Sequence, residues 1–192
     1  GDNQTSQEIT INVTNVNDIA PIISSSATFS AAENQTAIGT VEATDEEGDE
    51  LTYSVTGSEI AISSTGILTF VSAPDYETKL TYTATVTVSD GVNSATQDIT
   101  VNVTNLNDNI PVISSLASYS ADENQTAIGT VEAADADGDQ LTYSVSGSEI
   151  VISSTGILSF VSAPDYETKT TYTATVTVSD GVNSATQDIT VN

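Results

Sequence analysis

The chain contains two copies of one sequence, joined head to tail. Residues 19–102 align with residues 109–192 without a gap, at a shift of 90 positions, and most aligned residues are identical. Self-similarity at a fixed long period is typical of tandem arrays, in which each copy is one structural unit. Near-identical neighbouring copies indicate recent duplication. Such copying lengthens a protein that acts as a spacer, whereas an enzyme active site does not need it. We therefore expect further copies in a longer parent protein.

The repeat also sets the expected domain boundaries. Residues 7–15 match residues 97–105, so the chain is expected to begin and end in mid-pattern. The predicted segments are the last strand and linker of a preceding repeat, a complete repeat with its following linker, and a second repeat without that linker: residues 1–18, 19–108 and 109–192.

Within each copy the apolar residues recur at every second position. The runs 80–88 and 99–103 alternate apolar and polar residues, and they are rich in Thr, Val, Ile and Tyr, which favour strands. Turn residues recur about every 8–12 positions. About seven strands in about 90 residues predict an all-β fold of tandem Ig-like Greek-key β-sandwiches. The strands are expected near 22–30, 37–43, 50–56, 59–63, 67–71, 80–89 and 95–104, and again 90 positions later.

The predicted core is thin. Hydrophobic residues make up 38% of the chain and aromatic residues 5%, with no Trp, Met or Cys. A domain with a thin core usually needs an additional stabilising crosslink. Disulfides cannot supply it here, because the chain has no Cys, but a bound metal could. The predicted core positions of the first copy are Val41, Leu51, Tyr53, Val55, Ile67, Phe70, Tyr82, Val86, Val88, Ile99 and Val101.

The charge balance excludes several partners. The chain has 27 acidic residues against Lys79 and Lys169, and a formal net charge of −25. With almost nothing to neutralise phosphates, it should bind neither nucleic acid nor an anionic membrane surface. No segment is apolar enough to cross a bilayer, and no signal peptide is visible. Composition alone also allows a merely soluble, halophile-style acidic surface.

The acidic residues are grouped at the predicted strand ends. Five clusters occur in the first copy and its linker: Glu33-Asn34, Asp45-Glu46-Glu47-Gly48-Asp49, Asp75-Tyr76-Glu77, Asp90-Gly91 and Asn105-Leu106-Asn107-Asp108-Asn109. Grouped carboxylates repel one another unless cations lie among them. Calcium takes 6–8 oxygen ligands, and the lack of imidazole and thiolate disfavours zinc and copper.

Simpler interpretations of single clusters stay open. Residues 135–139 could be a solvated acidic turn. They could also begin an EF-hand loop, but Gln140 and Ser146 stand where that loop needs Gly and Glu. Residues 75–77 could be a plain turn after Pro74, and Tyr76 and Tyr166 could be platforms for sugar stacking.

Taken together and in order, the five clusters resemble the calcium motifs of cadherin repeats, over the whole chain. The resemblance implies a cadherin-like sandwich with several Ca²⁺ ions between consecutive repeats. At the central junction it implies these ligands: Glu33, Asp75 and Glu77 from the first repeat, Asn107, Asp108 and Asn109 from the linker, and Asp135, Asp137 and Asp180 from the second repeat. At the N-terminal end it implies an incomplete site of Asn17, Asp18, Asp45, Glu47 and Asp90.

The resemblance also implies a third site, at the C-terminal end, and shows where this chain departs from the family pattern. The third site would consist of Glu123, Asp165 and Glu167; it lacks a following linker, so we expect it to be empty or weakly occupied by calcium. Asn15 and Asn105 stand where the family often has Asp, and Glu47 stands where it has a second Asp. Ile19 replaces the final Asn of the linker, a position expected to supply a backbone oxygen.

The implied function is structural. Calcium at each junction would stiffen the array into a rod that serves as the extender of an extracellular, bacterial cell-surface adhesin. The partners would be calcium and neighbouring repeats, with the chain itself a monomer. The alternative is a calcium-dependent module that binds carbohydrate, or like repeats on another cell. With no His or Cys and no Ser beside a plausible base, we expect no enzyme activity.

Overall fold

The computed structural model describes residue 1 and residues 4–192, which separate into two compact units, Gly1–Thr104 and Asn105–Asn192. Every regular element in this described part is a strand, which confirms the all-β prediction. The strands of the first unit are β1 (Ile22–Ile23), β2 (Thr28–Ala32), β3 (Ala37–Thr40), β4 (Ala43–Thr44), β5 (Thr52–Val55), β6 (Ile60–Ile62), β7 (Ile67–Phe70), β8 (Thr81–Ser89) and β9 (Ser94–Thr104). Those of the second unit are β10 (Val112–Ile113), β11 (Ser118–Tyr119), β12 (Ala127–Thr130), β13 (Ala133–Ala134), β14 (Thr142–Val145), β15 (Ile150–Ile152), β16 (Ile157–Phe160), β17 (Tyr172–Ser179) and β18 (Ser184–Val191).

Each unit is a sandwich of two sheets. In the first unit one sheet has the order β2-β9-β8-β5, the other has the order β3-β7-β6, and β1 pairs with β4. The strand β2 runs parallel to β9, whereas the pairs β8–β9 and β5–β8 are antiparallel. The second unit repeats this arrangement strand for strand. Both ends of each sandwich carry the loops in which the acidic clusters were found.

Two of the seven predicted strands are divided because the chain changes sheets within them. The predicted strand 22–30 becomes β1, which pairs with β4, and β2, which joins β9. In the connection, the backbone N–H of Thr28 donates to Ser26 Oγ at 3.0 Å. The predicted strand 37–43 becomes β3 and β4, and the Val41 N–H between them donates to the Gly66 carbonyl at 2.8 Å. The apolar pattern continues through both breaks, so the pattern alone does not show them.

The buried residues agree with the predicted core positions except on one strand. Most of the predicted positions are buried or pack partly buried against the core. Ile67 was wrong as a core position, because it is 50% exposed while Leu68 is fully buried. Side chains alternate along β7, so Leu68 and Phe70 share the inner face and Ile67 lies on the outer one.

Residues 4–18 lie outside the sheets of the described chain. Ile9, Ile11 and Val13 are 77%, 82% and 93% exposed, although they match three inward positions of β9. Their assignment as the last strand of a preceding repeat stays a prediction, and residues 2 and 3 of that segment lie outside the described residues.

Candidate metal-binding sites

The first unit has an acidic turn directly after β4. Asp45, Glu47 and Asp49 each offer a carboxylate oxygen, and these oxygens all lie within 4.8 Å of one another. Asp45 Oδ1 organises the turn by accepting the backbone N–H groups of Glu47 at 2.9 Å and Asp49 at 3.3 Å. Its other oxygen, Oδ2, is buried and has no hydrogen-bond partner. The turn thus holds three carboxylates together without a cationic side chain among them.

Asp90 joins this group from the end of β8. It is only 9% exposed, and its Oδ1 accepts the N–H groups of Val92 at 2.8 Å and Asn93 at 2.6 Å. Burial raises the pKa of Asp90, but the hydrogen bonds from Val92, Asn93 and Asn17 outweigh it, so the pKa lies below its usual value. Asp90 therefore stays ionised, with a buried and unpartnered Oδ2.

The linker residues lie against the same group. Glu47 Oε2 accepts the backbone N–H groups of Asp18 at 3.0 Å and Ile19 at 2.9 Å. Asn93 Nδ2 donates to the side-chain oxygen of Asn17 at 2.8 Å. We call the whole set the linker cluster of the first repeat: Asn17, Asp18, Ile19, Asp45, Glu47, Asp49 and Asp90. The structure brings together all five residues predicted for the N-terminal site.

The second unit contains the equivalent linker cluster: Asn107, Asp108, Asn109, Asp135, Asp137, Asp139 and Asp180. Carboxylate oxygens of Asp135, Asp137 and Asp139 lie within 4.8 Å of one another. Asp137 Oδ2 accepts the N–H groups of Asp108 at 3.0 Å and Asn109 at 2.8 Å. Asp180 is 9% exposed; burial raises its pKa, and hydrogen bonds from Val182, Asn183 and Asn107 outweigh that effect and lower it.

A second cluster lies at the other end of each sandwich, and we call it the turn cluster. In the first unit Glu33 follows β2, is 2% exposed, and accepts the Tyr76 N–H at 2.7 Å. One of its oxygens lies within 4.8 Å of an oxygen of Glu77. Asp75 Oδ1 accepts the Thr78 N–H at 3.1 Å, which fixes the turn. The three predicted residues of this end are therefore neighbours.

The turn cluster of the second unit contains Glu123, Asp165 and Glu167, whose carboxylate oxygens lie within 4.8 Å of one another. Glu123 accepts the Tyr166 N–H at 3.1 Å. The hydrogen bond from the Thr168 hydroxyl, at 2.8 Å, is the main reason that the pKa of Asp165 lies below its usual value. All three carboxylates are exposed.

These residues fit a hard divalent cation. Five carboxylate oxygens of the linker clusters are buried and have no hydrogen-bond partner: Oδ2 of Asp45, Asp49, Asp90, Asp135 and Asp180. A buried charge without a partner is costly, so such oxygens indicate a missing positive charge. The donors are carboxylates, amides and carbonyls, which suit calcium. Both lysines are engaged elsewhere, Lys79 with Glu59 at 2.6 Å and Lys169 with Glu149 at 2.7 Å.

Sequence reasoning missed two kinds of residue in the linker cluster. Asp49 and Asp139 were quoted in the motifs but not assigned as ligands. Burial raises the pKa of Asp49 above its usual value, and the charges of Asp45, Glu47 and Asp90 add to this. Asn93 and Asn183 were missed as the amides that orient the linker asparagines. The signal for both was their recurrence at the same offsets in the two copies.

Comparison with known proteins assigns the family. A family model described as a bacterial Ig domain matches residues 17–104 and 107–192. Chitinase A of Pseudoalteromonas piscicida is 34% identical over 86% of this chain and 20% of its own length. Cadherin EGF LAG seven-pass G-type receptor 1 of Mus musculus is 29% identical over 91% of this chain and 6% of its own length. The chain thus spans a fifth or less of these relatives.

Solved structures agree with this assignment. The structure of protocadherin gammaB7 EC3-6 superimposes with a TM-score of 0.80 at 25% identity, over 95% of this chain and 54% of that one. Mouse cadherin-23 EC22-24 gives a TM-score of 0.79 at 21% identity, over 91% and 67%. In the described residues no helix has the length and apolar character needed to cross a membrane. The chain belongs to the bacterial Ig domain family, and its two units are tandem cadherin-like repeats.

Proposed function

We propose that these repeats are calcium-rigidified extender modules of an extracellular bacterial adhesin, which project a distal binding region away from the cell surface. The observation that carries the proposal is the pair Asp90 and Asp180. Each is a nine-tenths buried aspartate with an unpartnered carboxylate oxygen, and each lies at the same place in its linker cluster. Duplicated, ionised and unpartnered buried oxygens support a bound cation rather than a solvated acidic surface.

The charge of the chain supports the same interpretation. A formal net charge of −25 favours expansion of the chain through self-repulsion unless cations offset it. Calcium, when bound, supplies positive charge and is coordinated by carboxylate and carbonyl oxygens of these clusters. The residues themselves shape the site, because Asp45 and Asp135 fold the acidic turns and Asn93 and Asn183 hold the linker amides.

The clusters of successive repeats are proposed to act jointly. At the central junction the turn cluster of the first repeat would supply Glu33, Asp75 and Glu77. The linker cluster of the second repeat would supply Asn107, Asp108, Asn109, Asp135, Asp137 and Asp180. A cation held by both repeats restricts the angle between them, and binding that requires the aligned state stabilises that state in proportion to free calcium. Without calcium, repulsion between the clusters would open the junction.

The proposed location follows from the calcium that such sites require. Extracellular modules bind calcium with dissociation constants of about 0.1–1 mM, a concentration that seawater and body fluids maintain. We therefore place the protein outside the cell, as a monomeric, non-catalytic spacer whose partners are calcium and neighbouring repeats.

Small-angle X-ray scattering during a calcium titration tests the spacer function. The 192-residue chain should show a well-defined maximum dimension with calcium and a broadened distance distribution in EDTA. Asp180→Asn should raise the calcium midpoint by about tenfold, because one ligand charge is lost. Asp188→Asn is the charge-matched control, since Asp188 bonds Thr175 on the outer sheet face, and it should leave the midpoint within about twofold. A scattering profile indifferent to calcium would refute the proposal.

A second candidate function is calcium-dependent carbohydrate binding, and the relative named chitinase A favours it. Tyr166 is 64% exposed and could stack against a sugar ring, whereas Tyr76 packs partly buried against the core. Pull-down on chitin and other insoluble polysaccharides, with and without calcium, separates the two candidates. Calcium-dependent retention that Tyr166→Ala abolishes would favour carbohydrate binding, and no retention favours the spacer. Adhesion between like repeats would instead appear as calcium-dependent clustering of beads coated with this chain.

A further inference from the structure

The two linker clusters differ at one position in a way that changes their hydrogen bonding. Asn109 of the second linker aligns with Ile19 of the first. The backbone N–H groups of both residues make the same contact, to Asp137 Oδ2 at 2.8 Å and to Glu47 Oε2 at 2.9 Å. The side chains do not, because isoleucine has no hydrogen-bonding group.

The side-chain amide of Asn109 bridges two carboxylates. Its Nδ2 donates to Asp108 Oδ1 at 3.0 Å and to Asp137 Oδ1 at 2.8 Å. One amide nitrogen carries two protons, so each carboxylate receives one of them. Two carboxylates this close repel each other, and the shared amide offsets part of that repulsion without a net charge.

A second asparagine adds to this attachment. Asn105 Nδ2 donates to the Asp137 carbonyl at 2.9 Å, and no hydrogen bond joins Asn15 to Glu47 in the described chain. Asp137 is thus held to the second linker through both carboxylate oxygens and its carbonyl. Glu47, with one more methylene, meets the first linker through Oε2 alone among the described residues.

We propose that Asn109 is a positioning residue, which keeps the second linker attached to its repeat when no metal is bound. The first linker, with Ile19, lacks this attachment and opens away from its repeat more readily in calcium-free solution. The inference rests on the proposed calcium function for its biological meaning, because only then does the metal-free linker matter. It gives the two junctions different responses to the same calcium concentration: the second linker is already in place when the ion arrives, and the first must be ordered by it.

Amide hydrogen exchange of the full 192-residue chain, followed residue by residue by NMR, tests this inference. The reporters are four matched backbone amides, those of Asp18, Ile19, Asp108 and Asn109. In EDTA, after correction for the intrinsic exchange rate of each residue, the amides of Asp108 and Asn109 should exchange at least about tenfold more slowly than those of Asp18 and Ile19, the effect expected from extra hydrogen bonds to charged acceptors. Equal rates at the two linkers would overturn the inference.

Reciprocal substitutions assign the effect to the side-chain amide. Asn109→Ile should remove the difference in EDTA, and Ile19→Asn combined with Glu47→Asp should slow exchange in the first linker. The ligand expected from position 109 is its backbone oxygen, as at Ile19, and Asn109→Ile keeps that oxygen. In saturating calcium the linker amides of Asn109→Ile should therefore regain the slow exchange of the unsubstituted chain, which a merely structural defect would not allow. Exchange at the core amide of Val176 must stay unchanged, and this reports that the repeat is intact. Unaltered exchange in Asn109→Ile would contradict the inference.

The same data separate this inference from the calcium proposal. If calcium slows exchange at all four linker amides but the substitutions have no effect in EDTA, the positioning role fails and the calcium function stands. If calcium changes none of the four while the substitutions act as expected, the calcium function fails and the positioning role of Asn109 stands.

Discussion

Replacement of Gly66 by alanine should destabilise the first repeat more than the same replacement at Gly57. Both glycines have positive φ, +81° at Gly66 and +87° at Gly57, so alanine carries about 1–2 kcal/mol of left-handed strain at either position. The surroundings differ. A Cβ at Gly57 would meet nothing within 4 Å, whereas a Cβ at Gly66 would lie 2.3 Å from the Val41 carbonyl oxygen.

The close contact adds to the strain at Gly66, because the Val41 backbone must move. Val41 is 1% exposed, and its N–H donates to the Gly66 carbonyl at 2.8 Å. Overpacking of this kind costs about 1–3 kcal/mol, so we expect a loss of about 2–5 kcal/mol for Gly66→Ala. Gly57→Ala should cost only about 1–2 kcal/mol. Val41 leads into β4 and the acidic turn, so Gly66→Ala should also weaken calcium binding to the first linker cluster.

Urea unfolding in saturating calcium measures the difference, and the second repeat supplies an internal replicate. Gly156 has a φ of +81° and a Cβ distance of 2.4 Å to the Val131 oxygen, and Gly147 has open space. The pair Gly156→Ala and Gly147→Ala should therefore reproduce the difference in the transition of the second repeat. If the two alanine variants of either pair agreed within about 0.5 kcal/mol, the backbone contact would not be the cause and the reasoning would be refuted.

Three further outcomes are expected. Leu68→Ala should lower the free energy of unfolding by about 2–5 kcal/mol, and Ile67→Ala by less than about 1 kcal/mol, as measured in urea; the reverse order would contradict the observed alternation of β7. Calcium at about 10 mM should raise the free energy of unfolding by about 1.4–2.7 kcal/mol per site, and an unchanged midpoint would count against bound calcium. Thr168→Ala should raise the pKa of Asp165 towards its ordinary 3.8, as followed by NMR titration in EDTA. Because that pKa is lowered in the fold, the stability it contributes is present above pH 3.8 and is lost as the pH falls through the lowered value.

Several features of the candidate site followed from residue order alone. The acidic clusters occur at predicted strand ends, and the two copies repeat them at fixed offsets. The resemblance to cadherin repeats then implied that Asp45, Asp90 and Asn17 belong to one site. Strand ends converge at the ends of a sandwich because each strand spans it once. The residue types selected the class of metal, since carboxylates and amides without imidazole or thiolate suit a hard cation.

The state of individual atoms could not be assigned in this way. The sequence does not distinguish the two oxygens of Asp90, one of which accepts two backbone N–H groups while the other is buried without a partner. Nor does it show that the Asn109 amide bridges two carboxylates while Ile19 leaves its counterpart without such a bridge. Both involve contacts between residues far apart in the sequence: Asn109 meets Asp137, 28 positions later, and Asn17 meets Asp90, 73 positions later.

The sequence by itself determined the repeat, the strands with one apolar and one polar face, and the sandwich. Each of these follows from the periodicity of the sequence and from the spacing of turn residues. Only the tertiary structure decided which strand pairs with which. It divided the strand 22–30 between two sheets and ended the strand 37–43 at β3 so that β4 could pair with β1. The physical reason is that strand register, and the passage of the chain from one sheet to the other, are set by long-range packing and backbone hydrogen bonds. The local pattern of apolar residues does not record which strands make these contacts.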